Sequence, residues 1–371
     1  MKALRIRIVG GSLAGLFAGV LLQRDGHDVR LYERSSRGLA NRGAGLVVQA
    51  EVSQILKLIG REHVARLGVV AQERIFLDRA GRVAERISTQ QTQASWDAIY
   101  KAVLSQFGSE HYVLGKGVEH LRDAAGGASI TFQDGSTEDA DLVIGADGLG
   151  SVVRKEINPS GSTNSFAGYA AWRGLIDEAA IAVKAEILLE RFTFHLAQGI
   201  QVLGYLVPGV NGELLPGQRR YNWVWYRRIP ATRLSDEFTD RSGRVHPFSL
   251  PRGGLSDDRL SLLRQEAQNV LPPQLALAVA AENQPSIQGI FDYEAPRMAG
   301  QSTALIGDAA FVVRPHTAMG VSKAAGDVMA LRRHLSAEEN LPRALLAYEQ
   351  ERRPVGAAIA AYGRRLGETA L

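Results

Sequence analysis

The sequence predicts a mixed α/β fold with a parallel, helix-flanked sheet, a second β-sheet region and C-terminal helices. A strand, a helix and a strand follow one another at residues 4–9, 13–25 and 28–33, the βαβ pattern of parallel sheets. Further along, three segments are rich in β-branched and aromatic residues, which favours a largely antiparallel sheet. These segments lie at 166–176, 186–207 and 220–229.

Further elements fit the same fold. Residues 128–139 read as a hairpin that turns at Asp134-Gly135, because Asp-Gly suits tight hairpin turns. Apolar runs at 141–145 and 302–307 read as buried strands. Helical patterns are expected near 256–280, 320–335 and 341–365.

Composition removes several functional classes. The 371 residues include no cysteine, which excludes disulfides, thiolate metal sites and a cysteine nucleophile. The net charge is only +4 and no polybasic run occurs, so no nucleic-acid partner is expected. We find no signal-peptide pattern and no apolar stretch of membrane-spanning length. The cytoplasm is therefore the expected location, and neither a membrane nor a metal partner is expected.

The first chemical motif is Val9–Gly15, which joins the first strand to the first helix. Gly10 permits a tight turn, Ser12 stands in the place of the usual second glycine, and Gly15 allows close helix–strand packing. Glu33 ends the second strand, where a carboxylate can accept hydrogen bonds from ribose hydroxyls. The motif predicts a Rossmann-like dinucleotide site, and the alternative is an ordinary βαβ turn.

Two later strands also end in glycine and aspartate. They are Asp141–Gly148, followed by Arg154, and Ala304–Ala310 with its Gly307-Asp308 pair. Ligands bind beyond the carboxyl ends of strands in open α/β sheets, where such aspartates can bind hydroxyls or orient a basic group. Each motif alone is an ordinary strand-to-turn signal. Together they predict a discontinuous nucleotide-binding domain.

The expected domain division follows from these motifs. The nucleotide-binding domain covers 1–160 and 285–371, with an insertion from the other domain near 70–100. The β-rich domain covers 161–284.

These segments together resemble the class A FAD-dependent aromatic hydroxylases, which share the para-hydroxybenzoate hydroxylase fold, and most of all their dihydroxypyridine-type members. The segments that carry the resemblance are Val9–Gly15, Tyr32–Arg34, Gly43–Gln49, Ser95–Tyr100, Ile144–Arg154, Gly168–Gly174 and Gly307–Lys323. The resemblance implies a Rossmann-like FAD-binding domain and a β-sheet substrate domain. It implies a monooxygenase that uses FAD, NADH or NADPH, and O2 to hydroxylate a small aromatic or N-heteroaromatic substrate through a flavin hydroperoxide.

The same resemblance implies which residues bind the cofactor. Asp308 would bind the ribityl chain, Arg34 would pack near the adenine, and residues 315–320 would pass beside the isoalloxazine ring. The full implied set is Gly10, Gly11, Ser12, Leu13, Ala14, Gly15, Glu33, Arg34, Arg42, Gly45, Gln49, Asp147, Gly148, Arg154, Gly307, Asp308, Pro315, Ala318 and Gly320. Two residues depart from the family pattern. Many members carry arginine at the position of Trp96 and histidine at the position of Phe311.

Candidate catalytic residues lie near the expected flavin. His316 is a candidate base or substrate anchor, since an ordinary histidine pKa near 6.5 suits proton transfer at neutral pH. The alternative for His316 is a structural loop histidine. Tyr205 and Arg173 are sheet-side candidates, and the alternative for Arg173 is a buried ion pair.

The β-rich strands are also expected to supply an aromatic wall for a planar substrate, with ordinary sheet core as the alternative. The residues expected there are Phe192, Phe194, His195, Tyr205, Trp223 and Trp225.

Three other functions remain to be weighed. Flavin halogenases share the fold, but Trp223-Val224-Trp225 continues as Tyr-Arg instead of their Ile-Pro. A second alternative is another reaction on the same fold, such as oxidative decarboxylation or ring modification. A third alternative is a non-catalytic flavin-binding protein. The expected partner is a small aromatic or heteroaromatic substrate, and a homodimer is a possible assembly.

Overall fold

The computed structural model describes residues 2–39 and 45–370. The strands are β1 (Arg5–Val9), β2 (Asp28–Glu33), β3 (Gly45–Val47), β4 (Gly68–Ala71), β5 (Glu73–Leu77), β6 (Val83–Ile87), β7 (Gln91–Ser95), β8 (Tyr112–Leu114), β9 (Val118–Ala124), β10 (Gly127–Phe132), β11 (Thr137–Ala140), β12 (Leu142–Gly145), β13 (Ser165–Asp177), β14 (Arg191–Ala197), β15 (Ile200–Val207), β16 (Arg220–Arg228), β17 (Ser249–Leu250), β18 (Ser286–Glu294), β19 (Thr303–Leu305) and β20 (Phe311–Val312). The helices are α1 (Leu13–Arg24), α2 (Ala50–Leu58), α3 (Trp96–Leu104), α4 (Val152–Ile157), α5 (Leu234–Glu237), α6 (Asp257–Val270), α7 (Pro273–Ala281), α8 (Gly320–Ala337) and α9 (Leu341–Ala370).

A parallel sheet carries the first three motifs. Its strand order is β19-β12-β1-β2-β8, and Ile8 of β1 pairs with Ile144 on one side and Leu31 on the other. The apolar helix α1 packs on this sheet and against α8. Because β1, β12 and β19 run in the same direction, their carboxyl ends bring three glycine-containing turns to one edge of the sheet. The predicted βαβ unit is confirmed.

The large sheet has the order β17-β18-β13-β16-β15-β14-β5-β6, and β20 pairs with β18. Its pairs are antiparallel except that of β14 with β5. Helix α7 contacts β13 and β16 on one face. A small sheet, β3-β7-β4, contacts β15 and packs against its Tyr205 and Val207 through Ala71. The strands β5 and β6, from the stretch near 70–100, join this large sheet.

The remaining elements also match the sequence pattern. The hairpin of β10 and β11 turns at Asp134-Gly135, where Gly135 has a φ of +80° and its N–H donates to the Phe132 carbonyl. The predicted helices near the C-terminus are α6 to α9. The predicted α/β fold, with two kinds of sheet and C-terminal helices, is confirmed.

None of the helices in the described ranges combines the length and the apolar character that crossing a membrane requires.

Candidate active site

The glycine turn after β1 leaves no space for side chains. Gly10 has a φ of +107°, and a Cβ there would lie 2.4 Å from the carbonyl oxygen of Ala146. A Cβ at Gly11 would lie 2.2 Å from the Tyr112 hydroxyl, and one at Gly15 would lie 2.0 Å from the Gly10 carbonyl oxygen. The turn therefore presents bare backbone at the start of α1, where N–H groups can bind an anion.

Glu33 is fixed beside this turn. One carboxylate oxygen accepts a hydrogen bond from the Gly11 N–H at 3.0 Å, and the other accepts from the Ser35 N–H at 2.8 Å. The residue is 6% exposed. A carboxylate has about four acceptor positions, so acceptor capacity remains for a ligand hydroxyl.

These groups line what we call the first cavity, of about 440 Å³, which runs from Gly10 to the turn at Gly148. Trp96, Lys116 and Gln133 also line it. Lys116 and Gln133 are lining residues that no sequence motif indicated. Lys116 follows the short strand β8, which pairs with β2 beside Glu33, so recognising β8 would have placed it at this edge.

Asp147 shapes the turn that follows β12. Its carboxylate accepts hydrogen bonds from the Ser151 hydroxyl at 2.5 Å and the Val152 N–H at 2.7 Å. Burial raises the pKa of Asp147, although both hydrogen bonds act in the opposite direction. The turn borders two cavities, because Asp147 and Gly148 line the first and Leu149 lines the second, described below.

Arg154 ties this turn to the one after β19. It is 1% exposed, and its guanidinium donates to the carbonyls of Gly148, Asp308 and Ala309. It also lies 3.7 Å from the centre of the Tyr293 ring. Arg154 lines neither cavity, so its contacts hold two motif turns in a fixed relation.

The second cavity, of about 710 Å³, lies against the large sheet. Its sheet wall is aromatic. The rings of Phe192 and Tyr205 stack with centres 4.7 Å apart, and those of Phe192 and Phe194 are 4.9 Å apart. Tyr226 and Leu203 extend the same wall. Such a surface matches a flat, apolar ligand face.

The opposite wall comes from the turns after β19 and β20. Gly307 has a φ of +59°, its N–H donates to Asp327 and its carbonyl accepts from the buried Lys323 ammonium at 2.7 Å. The Asp308 side chain that follows is exposed to the cavity. Desolvation raises the pKa of Asp308, and the charges of Lys323 and Arg154 partly offset this.

The 315–320 turn completes this wall. Ala318 has a φ of +53°, a left-handed conformation that is uncommon for a residue with a Cβ. Its carbonyl accepts a hydrogen bond from the Gln49 side chain at 3.1 Å. A strained residue at a cavity wall is consistent with a functional constraint on the backbone there.

His316 projects from this turn towards the sheet. Its Nε2 lies 2.9 Å from the Tyr169 hydroxyl, and its ring centre lies 4.3 Å from that of Tyr226. Desolvation, together with the positive charges of Arg314 and Arg173, lowers the pKa of His316 to about 4. The expectation of an ordinary pKa near 6.5 was therefore wrong, and the imidazole is neutral at pH 7.

Tyr205 and Arg173 lie on the sheet wall of the same cavity. Tyr205 is 9% exposed and its hydroxyl donates to the Gly45 carbonyl at 3.5 Å. Burial raises the pKa of Tyr205, while the Arg173 charge lowers it. All three candidate catalytic residues, His316 included, thus face one cavity.

Comparisons with known proteins agree on the family. Family models described as "FAD binding domain-like" and "FAD binding domain" match residues 166–292 and 275–362. The chain is 31% identical over 348 residues to 2,6-dihydroxypyridine 3-monooxygenase of Paenarthrobacter nicotinovorans, which covers 93% of this chain and 86% of that protein. It belongs to the class A flavin hydroxylases.

This flavin hydroxylase is also similar to a second relative and to a solved structure. It is 30% identical over 366 residues to aurachin C monooxygenase/isomerase of Stigmatella aurantiaca, covering 94% of this chain and 85% of that protein. The solved structure of 2,6-dihydroxypyridine-3-hydroxylase from Arthrobacter nicotinovorans superposes with a TM-score of 0.92 at 29% identity, covering 100% of this chain and 93% of that one. The protein is an FAD-dependent monooxygenase.

The two cavities fit the two halves of FAD. The glycine turn forms a cradle that a single Cβ would fill, and Glu33 keeps acceptor capacity beside it. Asp308 presents its carboxylate to the second cavity, across which the aromatic wall lies. Within the described residues, no group of acidic and histidine side chains is placed to hold a metal ion.

The predicted cofactor residues form three groups, according to which cavity of the flavin hydroxylase they line. Lining the first cavity are Gly10, Gly11, Ser12, Glu33, Arg34, Asp147 and Gly148. Lining the second are Gly45, Asp308, Pro315, Ala318 and Gly320. Lining neither are Leu13, Ala14, Gly15, Gln49, Arg154 and Gly307, which pack or hold the lining segments. Arg42 lies outside the described residues.

The predicted aromatic wall was partly wrong. Trp223 and Trp225 share a face as expected, but that face packs into the main core, and both are at most 2% exposed. His195 also points away from the cavity, with Nδ1 2.9 Å from the Leu77 carbonyl oxygen. Tyr226 replaces these residues on the wall. The Trp-Val-Trp segment therefore gives no support to a halogenase.

Proposed function

We propose that this flavin hydroxylase uses NADH or NADPH and O2 to add a hydroxyl group to a small aromatic or N-heteroaromatic ring. When bound, FAD supplies the redox chemistry, accepting electrons from the nicotinamide and delivering one oxygen atom of O2 to the ring. The observation that carries the proposal is the second cavity, in which an aromatic wall faces Asp308 and the 315–320 turn. The similarity to 2,6-dihydroxypyridine 3-monooxygenase supports a hydroxylated N-heteroaromatic substrate.

In this proposal, residues of both cavities would hold FAD. Backbone N–H groups of the glycine turn would bind the pyrophosphate, and Glu33 would accept hydrogen bonds from the adenosine ribose. Asp308 would accept a hydrogen bond from the ribityl chain. The 315–320 turn would hold the isoalloxazine ring, and its backbone polar groups could balance charge on that ring. Arg154 acts indirectly, by holding the Gly148 and Asp308 turns together.

The large sheet supplies the substrate wall. The stacked side chains of Phe192, Phe194 and Tyr205 give the ring a flat apolar surface and exclude water from its face. Tyr226 and His316, with ring centres 4.3 Å apart, close the side nearest the 315–320 turn. The wall orients the substrate ring, and the edge of the substrate ring remains available for polar contacts.

His316 is proposed to hold a ring hydroxyl. Because its pKa is about 4 before substrate binds, the imidazole is a neutral hydrogen-bond partner and a weak base. Its Nε2 is engaged with the Tyr169 hydroxyl, which fixes the ring orientation and leaves Nδ1 as the ring nitrogen available to a ligand. Burial raises the pKa of Tyr169 to about 12, so Tyr169 stays protonated and can relay a hydrogen bond without carrying charge.

A substrate panel tests this proposed function. The FAD-loaded protein is mixed with NADH or NADPH in air and with hydroxypyridines, phenols or hydroxylated purines. We expect at least one ring to accelerate nicotinamide oxidation and to gain the mass of one oxygen atom. If every ring leaves the oxidation rate unchanged and is recovered unmodified, the proposed function is wrong.

The cellular setting is also a proposal. We place the protein in the cytoplasm, where NADH and NADPH are available, and propose a homodimer as its assembly. Light scattering on the purified holoenzyme would decide between a dimer and a monomer.

A further inference from the structure

Gln93 is a buried side-chain amide that the protein leaves without hydrogen bonds. It lies on β7, paired with Val47 of the neighbouring strand β3, and it lines the second cavity while being only 1% exposed. Among the described residues, neither its Nε2 nor its Oε1 has a partner, and no other described side-chain amide has both atoms buried and unpartnered. Buried polar groups of folded proteins are nearly always hydrogen-bonded, so this amide is expected to meet a ligand.

Gln91 shows how the protein treats a similar group nearby. It lies two residues earlier on β7 and therefore points to the same side of the small sheet. Its Oε1 accepts a hydrogen bond from the Arg74 guanidinium at 2.7 Å. One face of the strand thus carries a glutamine that the protein satisfies and, at Gln93, a glutamine that it does not.

The strand β3 connects the two walls of the second cavity beside Gln93. At one end of β3, the carbonyl of Gly45 accepts a hydrogen bond from the Tyr205 hydroxyl of the sheet wall at 3.5 Å. Just past the other end, the Gln49 side chain donates to the Ala318 carbonyl of the opposite wall at 3.1 Å. Because Gln93 is paired with the last residue of β3, its amide lies at a border of the cavity that both walls share.

The chemistry of an amide indicates which ligand would satisfy it. A side-chain amide carries donors and an acceptor next to each other, so it pairs with a ligand edge that has an N–H beside a C=O. The isoalloxazine ring of FAD has such an edge, since its N3–H lies between the C2 and C4 carbonyls. A hydrocarbon ring would satisfy neither atom of the Gln93 amide, and a simple anion would satisfy only the nitrogen.

We infer that Gln93 binds the pyrimidine edge of the flavin. Its Oε1 accepts from the flavin N3–H, and its Nε2 donates to a neighbouring flavin carbonyl. FAD is the cofactor of this flavin hydroxylase, and β3 reaches the Ala318 turn that would hold the isoalloxazine ring. The inference does not depend on the proposed hydroxylation, because it concerns the cofactor alone.

Cofactor binding to the apoprotein tests the inference without turnover. The two probes are FAD and 3-methyl-FAD, in which a methyl group replaces the N3 proton. Their dissociation constants are measured by flavin fluorescence, with no nicotinamide and no substrate present. We expect FAD to bind about tenfold to a hundredfold more tightly than 3-methyl-FAD, because the methylated flavin leaves the buried Gln93 oxygen without a partner.

Two substitutions distinguish a lost hydrogen bond from a lack of room for the methyl group. Gln93→Met keeps the length of the side chain but removes both polar atoms, so the preference for FAD should fall to about one. Gln91→Met is the matched control, because the Gln91 oxygen is bound to Arg74, and it should keep the full preference. If Gln93→Met does not fold, Gln93→Asn withdraws the amide by one methylene and should still show a reduced preference.

The outcomes separate this inference from the proposed function. Equal binding of the two flavins by the wild type overturns the inference. An unchanged preference in folded Gln93→Met, or in Gln93→Asn, also overturns it, because crowding by the methyl group would then be the cause. Loss of the preference in Gln91→Met overturns it too, since the effect would then belong to the whole strand. A protein that prefers FAD as expected but modifies none of the substrate panel contradicts the proposed function and leaves the flavin contact standing.

Discussion

Replacing Gly10 with alanine should damage both the fold and FAD binding. At a φ of +107°, a Cβ meets the Ala146 carbonyl oxygen at 2.4 Å and its carbon at 2.6 Å. A positive φ costs a residue with a Cβ about 1–2 kcal/mol. Overpacking adds about 1–3 kcal/mol, because the contacts are with backbone, which yields little. We therefore expect the free energy of unfolding to fall by about 2–5 kcal/mol.

Gly26 provides the matched control. It has a φ of +89°, and a Cβ there would have no atom within 4 Å. Gly26→Ala should therefore lose only the conformational part, about 1–2 kcal/mol, and keep its FAD affinity. Denaturant unfolding of the apoproteins gives the stabilities, and flavin fluorescence gives the FAD dissociation constants. The reasoning fails if Gly10→Ala is no less stable than Gly26→Ala, or if it binds FAD as tightly as the wild type.

Three further predictions concern the second cavity. Asp308→Ala should weaken FAD binding about tenfold to a hundredfold, the worth of a hydrogen bond to a carboxylate, and an unchanged dissociation constant in a folded variant would contradict the ribityl contact. His316→Ala should keep its FAD content but slow hydroxylation by up to about tenfold, the worth of a neutral hydrogen bond to the ring hydroxyl, and rapid mixing can separate this effect from flavin reduction. The third prediction concerns pH. Because His316 titrates near 4 when folded and near 6.5 when unfolded, the unfolded chain takes up the proton first, and the free energy of unfolding should fall as pH falls from 6.5 to 4. His316→Gln should show a smaller fall across that window, and an identical fall in both proteins would refute the lowered pKa.

Local sequence signals were sufficient for the nucleotide-binding half. The turn at Gly10, the end of β2 at Glu33 and the strand ends at Asp147 and Asp308 are each visible in a short segment. The rule that parallel strands end at one edge then brings them together. The structure places all four at that edge or in the cavities beside it.

The substrate side could not be read the same way. Alternation along β16 shows that Trp223 and Trp225 share a face, but not which face the helices cover. A clue lay in Gly174, on the strand beside β16. A Cβ there would lie 2.2 Å from the Trp223 ring, so the glycine leaves room for a packed indole. A large residue opposite a glycine indicates the tightly packed face.

The pKa of His316 was misjudged for a related reason. The lowering comes from desolvation and from Arg314 and Arg173, and Arg173 is distant in sequence. An intrinsic pKa therefore describes the residue type and not the site. Arg173 itself, which the sequence predicted as a sheet-side catalytic candidate, lines the second cavity.

The most direct test of the monooxygenase assignment is the origin of the oxygen atom in the product. The FAD-loaded protein is given NADH or NADPH and the ring that most stimulates its oxidation, under ¹⁸O2 in ordinary water, and the product is weighed by mass spectrometry. We predict one ¹⁸O atom per product molecule, and no label when ¹⁶O2 is used in H2¹⁸O. A product whose added oxygen comes from water, or reduction of O2 to peroxide with the ring recovered unchanged, would contradict it.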